Sequence, residues 1–347
     1  MPVPGRFGAR PCARLRAALT KVERPPVSAK PRIFVTRRVP EAVTDRLQRD
    51  YDATVNTADS ALSADQLVAH ADGMDALIVT PPDKMGAELI QRLPDSVRAI
   101  ACFSVGTNHV DLDAAKQRGI AVTNTPGVLT EATAEIAMLL ILGACRRAWE
   151  GQKLLRRREW DGWKPTQLIG LELSGRRLAI FGMGRIGQAT AARARAFGME
   201  IHYHNRTRLP ADQEQGAVYH DTPDQLLEVA DVLSLHCPAT PETQGFLNAQ
   251  RIETLPAPSV VINTSRGDVV DDAALIDALK RARVAAAGLD VFAGEPDLHP
   301  GYYDLDNAYL LPHLGSATVE TRNAMGFKCL DNLDALFTGR EAPDRVA

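Results

Sequence analysis

An apolar run, Arg177-Leu178-Ala179-Ile180-Phe181, passes directly into Gly182-Met183-Gly184-Arg185-Ile186-Gly187 and then into a helix-forming stretch that reaches Phe197. Strand, glycine turn and helix in immediate succession commit this part of the chain to the opening unit of a parallel sheet. Glycines at this spacing also occur by chance in loops, but the strand before and the helix after supply the confirming context. Gly182 permits the tight turn, Gly184 lets backbone approach a pyrophosphate, and Gly187 lets the helix press on the strand. The helix start then offers unpaired N–H groups and a positive dipole end to the phosphates of a dinucleotide.

The same rhythm runs along the rest of the chain. Upstream, strands are expected over 32–36, 53–56 and 76–80, within the apolar run 97–105, and over 120–123. Helices are expected between them over 41–49 and 64–71, near Glu88, and over 113–118. Downstream of the glycine turn, strands over 200–204, 232–235, 260–262, 284–289 and 309–311 alternate with helices over 186–197, 223–229 and 273–281. A helical stretch over 130–147 connects the two series, and an amphipathic helix over 319–337 comes after the second. Short apolar strands separated by such helices indicate an α/β fold with two doubly wound parallel sheets. A length of 347 residues, beyond one ordinary core, agrees with two domains.

Composition narrows the functional classes. The chain is 45% hydrophobic and 24% charged with a formal net charge of −3, so it has no basic footprint for nucleic acid. No apolar run approaches the roughly 20 residues of a membrane span. Cys12, Cys102, Cys145, Cys237 and Cys329 are scattered, which argues against a zinc or disulfide framework and fits a cytoplasmic protein with buried thiols. His202 and His204 alternate along a strand without partner cysteines or acids, and no metal site is read there. Residues 1–30 are rich in arginine, poor in acids and interrupted by prolines. They read as a disordered extension or an over-long start; scarce serine argues against a transit peptide.

Three chemistry-bearing side chains come after the glycine turn, each just beyond an apolar strand: Arg266 in Asn263-Thr264-Ser265-Arg266-Gly267, Glu295 in Gly294-Glu295-Pro296, and His313 in Pro312-His313-Leu314-Gly315. A guanidinium matches a carboxylate bidentately, and histidine exchanges its proton near neutrality. A carboxylate beside that imidazole keeps it protonated. These are the parts needed to hold a carboxylate substrate and move a proton while a nicotinamide carries a hydride. The strand 200–204 ends in Asn205-Arg206-Thr207-Arg208, where an NAD site usually places an acid. Two arginines there suit the extra 2′-phosphate of NADP(H), with NAD(H) and a solvated basic turn as the alternative.

The order and wording of these segments resemble the D-isomer-specific 2-hydroxyacid dehydrogenases, and within them the glyoxylate/hydroxypyruvate reductases. The resemblance spans roughly residues 32–337 and rests on Ser104-Val105-Gly106-Thr107-Asn108-His109-Val110-Asp111, Asn124-Thr125-Pro126-Gly127-Val128-Leu129-Thr130, the glycine turn, the Arg266 segment, Gly288-Leu289-Asp290-Val291-Phe292 and Leu311-Pro312-His313-Leu314-Gly315-Ser316. Glu159-Trp160-Asp161-Gly162-Trp163 with Pro165 points to the reductase subgroup. The resemblance implies a flavodoxin-like substrate domain over 31–129 and 312–347 and a Rossmann NAD(P)-binding domain over 130–311. It implies that Arg266 binds the substrate carboxylate and carbonyl oxygen, assisted by Val105 and Gly106 N–H groups, that His313 protonates the carbonyl oxygen, and that Glu295 pairs with His313.

Cofactor contacts are implied for Thr130, Gly182, Gly184, Arg185, Ile186, Gly187, Asn205, Arg206, Thr207, Arg208, Pro238, Thr243, Thr264, Asp290, His313 and Gly315, with Asp290 near the nicotinamide carboxamide. The implied reaction is reduction of glyoxylate and hydroxypyruvate to glycolate and D-glycerate by a homodimer. Trp149, Trp160 and Trp163 read either as internal packing or as contacts to a second subunit. Alternatives are an NAD-dependent dehydrogenase of another D-2-hydroxy acid, of the D-3-phosphoglycerate or D-lactate type, and a nucleotide-sensing interaction protein on the same scaffold. Formate oxidation is disfavoured, because relatives with that activity carry Gln where Glu295 stands.

Overall fold

The computed structural model describes residues 30–347. The expectation of a disordered extension falls on residues 1–29, outside the described residues, apart from Lys30. The described chain is organised around two all-parallel sheets.

The first has the strand order β2-β1-β3-β4-β5, formed by β1 (Arg32–Val35), β2 (Asp52–Val55), β3 (Ala76–Val79), β4 (Ala99–Cys102) and β5 (Ala121–Thr123). Its helices are α1 (Glu41–Asp50), α2 (Ala64–His70), α3 (Ala87–Arg92) and α4 (Leu112–Gln117). Alternation along the strands divides the core in two: Leu77 and Val79 of β3 pack with Phe34, Ile100 and Val122, whereas Ala76 and Ile78 pack with Ile33, Val35 and Ala101. Both faces are apolar, as a parallel sheet buried on both sides requires.

Two helices carry the chain across, α5 (Thr130–Cys145) and α6 (Ala148–Arg156), with Arg147 between them in a left-handed conformation (φ 52°). The helix expected over 130–147 thus ends two residues early, and the second helix after it lies outside that expectation. The second sheet, in the order β12-β11-β10-β9-β6-β7-β8, is built from β6 (Arg177–Phe181), β7 (Glu200–His204), β8 (Val218–Tyr219), β9 (Val232–Leu235), β10 (Val260–Asn263), β11 (Ala286–Leu289) and β12 (Ala308–Leu310). Its helices are α7 (Arg185–Ala196), α8 (Ala211–Glu214), α9 (Pro223–Leu227), α10 (Ala249–Thr254) and α11 (Asp272–Lys280).

The order reverses between β6 and β9, which opens a crevice at the carboxyl ends of those strands. The final helix, α12 (Val319–Phe337), returns to the first sheet: Met325, Cys329, Leu330 and Leu333 join the Ile33 face, and a Cβ at Gly326 would collide with Val43 of α1.

The run 97–105 contributes only four residues to β4. Beyond it the Ser104 hydroxyl donates to the Gly106 carbonyl at 2.7 Å and the Asn124 amide to the Val105 carbonyl at 2.7 Å. One local and one cross-strand side-chain bond thus fix the 104–106 turn beyond the end of β4.

Candidate active site

Arg266 lies just past β10 and projects towards the first sheet. A Cβ placed on Gly106 would run into its guanidinium, so only glycine lets the guanidinium sit against this turn. Gly106 lies in the turn after β4, and the contact brings together the carboxyl ends of the two sheets. A second crossing contact, from the Asn108 amide to the Ala239 carbonyl at 3.0 Å, closes the same gap. Burial pushes the Arg266 guanidinium below its ordinary pKa, while Glu295 and Asp268 favour its charge. Its Nη1 donates to the Ser265 carbonyl at 2.6 Å, which leaves most of the fork free.

Glu295 and His313 form the partner group. His313 Nδ1 lies 2.8 Å from Glu295 Oε2, and Glu295 Oε1 accepts from the Phe292 N–H at 2.8 Å. Burial alone would raise this carboxyl, but His313, the Phe292 amide and Arg266 together hold it below its ordinary value. With Nδ1 facing the carboxylate, Nε2 is the ring atom left to face a ligand.

His313 adopts φ +55°, a region that costs an L-residue about 1–2 kcal/mol. Asp290 holds it there. Its carbonyl accepts from the His313 N–H at 2.9 Å, and its carboxylate accepts from the Leu314 and Gly315 N–H groups at 2.6 and 2.8 Å. The Thr133 hydroxyl completes the clamp by donating to the Gly315 carbonyl at 2.9 Å. Asp290 is 1% exposed, and burial raises its pKa against the two amides and His313.

At the crevice, Gly182 has φ +100° and a Cβ there would lie 2.7 Å from the Cys237 nitrogen. One turn on, a Cβ at Gly187 would lie 2.6 Å from the Gly182 carbonyl oxygen. A Cβ at Gly184 would meet nothing within 4 Å, so the start of α7, with Arg185, Ile186 and Gly187, is an open shelf with no acid in its first turn. This open shelf of amides fits the pyrophosphate of a dinucleotide. Of the other expected cofactor contacts, Thr130 is the first residue of α5, and Pro238 and Thr243 share one loop, where the Thr243 hydroxyl donates to the Pro238 carbonyl at 2.6 Å.

Asn205 and Arg208 differ from a simple ligand reading. The Asn205 Oδ1 accepts from the Met183 N–H at 2.6 Å, so this side chain shapes the glycine turn itself. Arg208 is paired through Nε and Nη2 with the two oxygens of Glu214, at 2.7 and 3.1 Å. Of the two arginines expected to suit a 2′-phosphate, Arg208 is thus engaged by Glu214. Arg206 and Thr207 are exposed, and Arg206 has no hydrogen-bond or ion-pair partner among the described residues.

Three residues escape a reading of the sequence. Asn124 and Asn108 fix the substrate-side turn through amide bonds that no local pattern announces. His236, after β9, lies between the Ser234 hydroxyl (2.8 Å) and the Thr264 hydroxyl (3.3 Å), and burial pushes its imidazole down to about 4. It is thus a neutral support beneath Thr264. Among the described residues no cluster of three or more His, Cys, Asp or Glu could hold a metal ion.

Comparison with known proteins identifies the family. Residues 138–315 match the family described as "D-isomer specific 2-hydroxyacid dehydrogenase, NAD binding domain". The chain is 44% identical over 315 residues to a glycerate dehydrogenase of Hyphomicrobium methylovorum, covering 90% of this chain and 98% of that protein. It is 41% identical over 322 residues to a glyoxylate reductase of Thermococcus litoralis, covering 91% and 97%. Among solved structures, an NADPH-dependent glyoxylate/hydroxypyruvate reductase of Sinorhizobium meliloti in complex with NADP and malonate superposes with a TM-score of 0.82 at 37% identity, covering 92% of this chain and 97% of that one. Two parallel α/β sheets, a glycine-turn crevice and this extent of identity together show that the chain belongs to the D-isomer-specific 2-hydroxyacid dehydrogenases, oxidoreductases that act on CH–OH groups with a nicotinamide cofactor.

Proposed function

We propose that this protein reduces glyoxylate and hydroxypyruvate to glycolate and D-glycerate, with NADP(H) preferred over NAD(H). The observation that carries the reading is the Glu295–His313 pair at 2.8 Å, within electrostatic reach of an Arg266 guanidinium lodged against Gly106. In this reading the Arg266 fork binds the substrate carboxylate, and the Val105 and Gly106 N–H groups add donors from the opposite wall. Arg266 also polarises the carbonyl oxygen. His313 Nε2 donates its proton to that oxygen, and Glu295, fixed by the Phe292 amide, stabilises the imidazolium beforehand and restrains ring rotation afterwards. A bound reduced nicotinamide supplies the hydride to the carbonyl carbon. In the oxidative direction the same imidazole accepts the hydroxyl proton.

Relatives named glyoxylate reductase, glycerate dehydrogenase and NADPH-dependent glyoxylate/hydroxypyruvate reductase support the substrate class. Arg206 at the end of β7, in place of an acid, supports NADP(H). Assembly as a homodimer is supported by the apolar side chains exposed on and after α6, among them Leu155, Trp160, Trp163 (80% exposed) and Ile169. A cytoplasmic site is supported by four buried free thiols. The test is the rate of NADPH and NADH absorbance loss, each with saturating glyoxylate or hydroxypyruvate. Turnover with either acid and a higher kcat/KM for NADPH are expected; turnover only with other 2-oxo acids would overturn the substrate assignment, and a preference for NADH the cofactor assignment.

A further inference from the structure

The turn that ends β7 is held from behind by a carboxylate. Glu214, the last residue of α8, is buried although Arg208 itself is largely exposed. Its Oε1 accepts both the Arg208 Nε, at 2.7 Å, and the Tyr203 hydroxyl, at 2.7 Å. Its Oε2 accepts the Arg208 Nη2 at 3.1 Å. Tyr203 is fully buried in β7, and its hydroxyl oxygen accepts the Leu209 N–H at 3.1 Å. Tyr219 of β8 closes the ring: the Arg208 guanidinium lies 5.3 Å from its ring centroid, and its hydroxyl donates to the Asn205 carbonyl at 3.3 Å. Both ends of the Asn205–Leu209 turn are thus tied to one ion pair with a buried carboxylate and an exposed guanidinium, and the Arg208 fork is already spent on that carboxylate. Arg206, between the tied ends, presents the one guanidinium of this turn that has no partner among the described residues.

We propose that Glu214 is a positioning residue for cofactor selectivity: it pins Arg208 as an internal strut so that the turn holds Arg206 alone where a 2′-phosphate would bind. The proposal rests on the NADP(H) reading above. The two arginines then have unequal roles despite their symmetric placement in the sequence. A phosphate that recruited Arg208 would have to break a bidentate pair and leave the Glu214 charge buried without its counter-ion.

The test is calorimetric titration of the full chain with NADPH, NADH, adenosine 2′,5′-bisphosphate and adenosine 5′-phosphate, none of which requires turnover. The wild type is expected to bind each 2′-phosphorylated ligand about 10-fold or more tightly than its counterpart, the scale of one charge-assisted contact. Arg206→Gln should remove that ratio. Glu214→Gln keeps an acceptor for Tyr203 but frees Arg208, and should reduce the ratio by about 5-fold or more, mostly through weaker binding of the 2′-phosphorylated ligands. Glu214→Asp should restore part of it.

Adding Arg206→Gln to Glu214→Gln should then cost less than it does in the wild type, because both act on the same contact. An unchanged ratio in Glu214→Gln, an equal weakening of all four ligands, or tighter NADPH binding by the freed Arg208 would each overturn the proposal while leaving the cofactor reading intact. A wild type without preference for the 2′-phosphorylated ligands would overturn both. Should Glu214→Gln fail to fold, Arg208→Met/Glu214→Gln removes the strut without leaving a bare charge and is judged by the same ratio.

Discussion

The two ends of the crevice use their charged side chains in opposite ways. At the reacting end, Arg266, Glu295 and His313 come from three different strand ends; Asp290 clamps the backbone around His313, Glu295 holds the His313 Nδ1, and the His313 Nε2 and most of the Arg266 fork stay free. At the adenosine end, the charges of Arg208 and Glu214 are spent on each other, and the turn gains shape while only Arg206 remains open. A strand-end charge is thus a ligand where the backbone supports it and a strut where another side chain neutralises it first. The residue type alone does not separate the two cases; the partner does.

The sharpest way to break this contrast is to remove a free functional atom from the reacting end. His313→Ala deletes the proton donor while the Asp290 clamp, made to backbone amides, persists. Turnover should fall by about 10²–10⁴-fold. Calorimetric NADPH affinity should stay within about 2-fold, because the glycine shelf is untouched. Near-normal turnover would sink the role given to His313.

Arg266→Lys should rank next, with kcat/KM for glyoxylate lowered by about 10²-fold, because a point charge cannot replace a fork on a carboxylate. Gly106→Ala tests the same contact from the other wall. Its Cβ collides with the guanidinium, so Arg266 must leave its position, and a loss of about 10-fold or more is expected with little change in thermal midpoint. Unimpaired kinetics in Gly106→Ala would show that the guanidinium position against Gly106 is not needed for substrate binding.

Most of the fold is legible in the sequence because its strands are short apolar runs bounded by turns, and both sheets bury both faces. The amphipathic pattern over 319–337 coincides with the span of α12. What escapes is short or polar: β8 has two residues, α8 four, and α10 only one fully buried side chain, Ile252. None offers enough periodicity to exceed chance. At the site, Arg266, Glu295 and His313 are legible because each carries its own chemistry just past a strand. Arg208 misleads because Glu214, six residues on and beyond a proline, looks like an ordinary helix-surface acid. Asn124 reaches the Val105 carbonyl after β4, and His236 the Thr264 hydroxyl after β10, partners that a linear reading does not bring together.

The smallest expected effect concerns pH and stability, and it sets the ends of the crevice apart once more. Burial pushes both His109, beside the substrate-side turn, and His236 down to about 4. The folded state therefore binds fewer protons than the unfolded chain between about 4 and the ordinary histidine value of 6.5. Their contribution is present above about 6.5 and is lost as pH falls through that window. Glu214 is held down to about 2 by Arg208 and then Tyr203. Its contribution is present above the ordinary value of 4.5 and is lost only as pH falls towards 2. The thermal midpoint should thus decline in two stages on acidification. His109→Asn should make the first stage shallower without removing it, because His236, His202 and His220 are also pushed down by burial, and Glu214→Gln should make the second shallower. Thermal scans at closely spaced pH values would check this, and a variant that flattened the other's stage would show that the two ends of the crevice do not titrate independently.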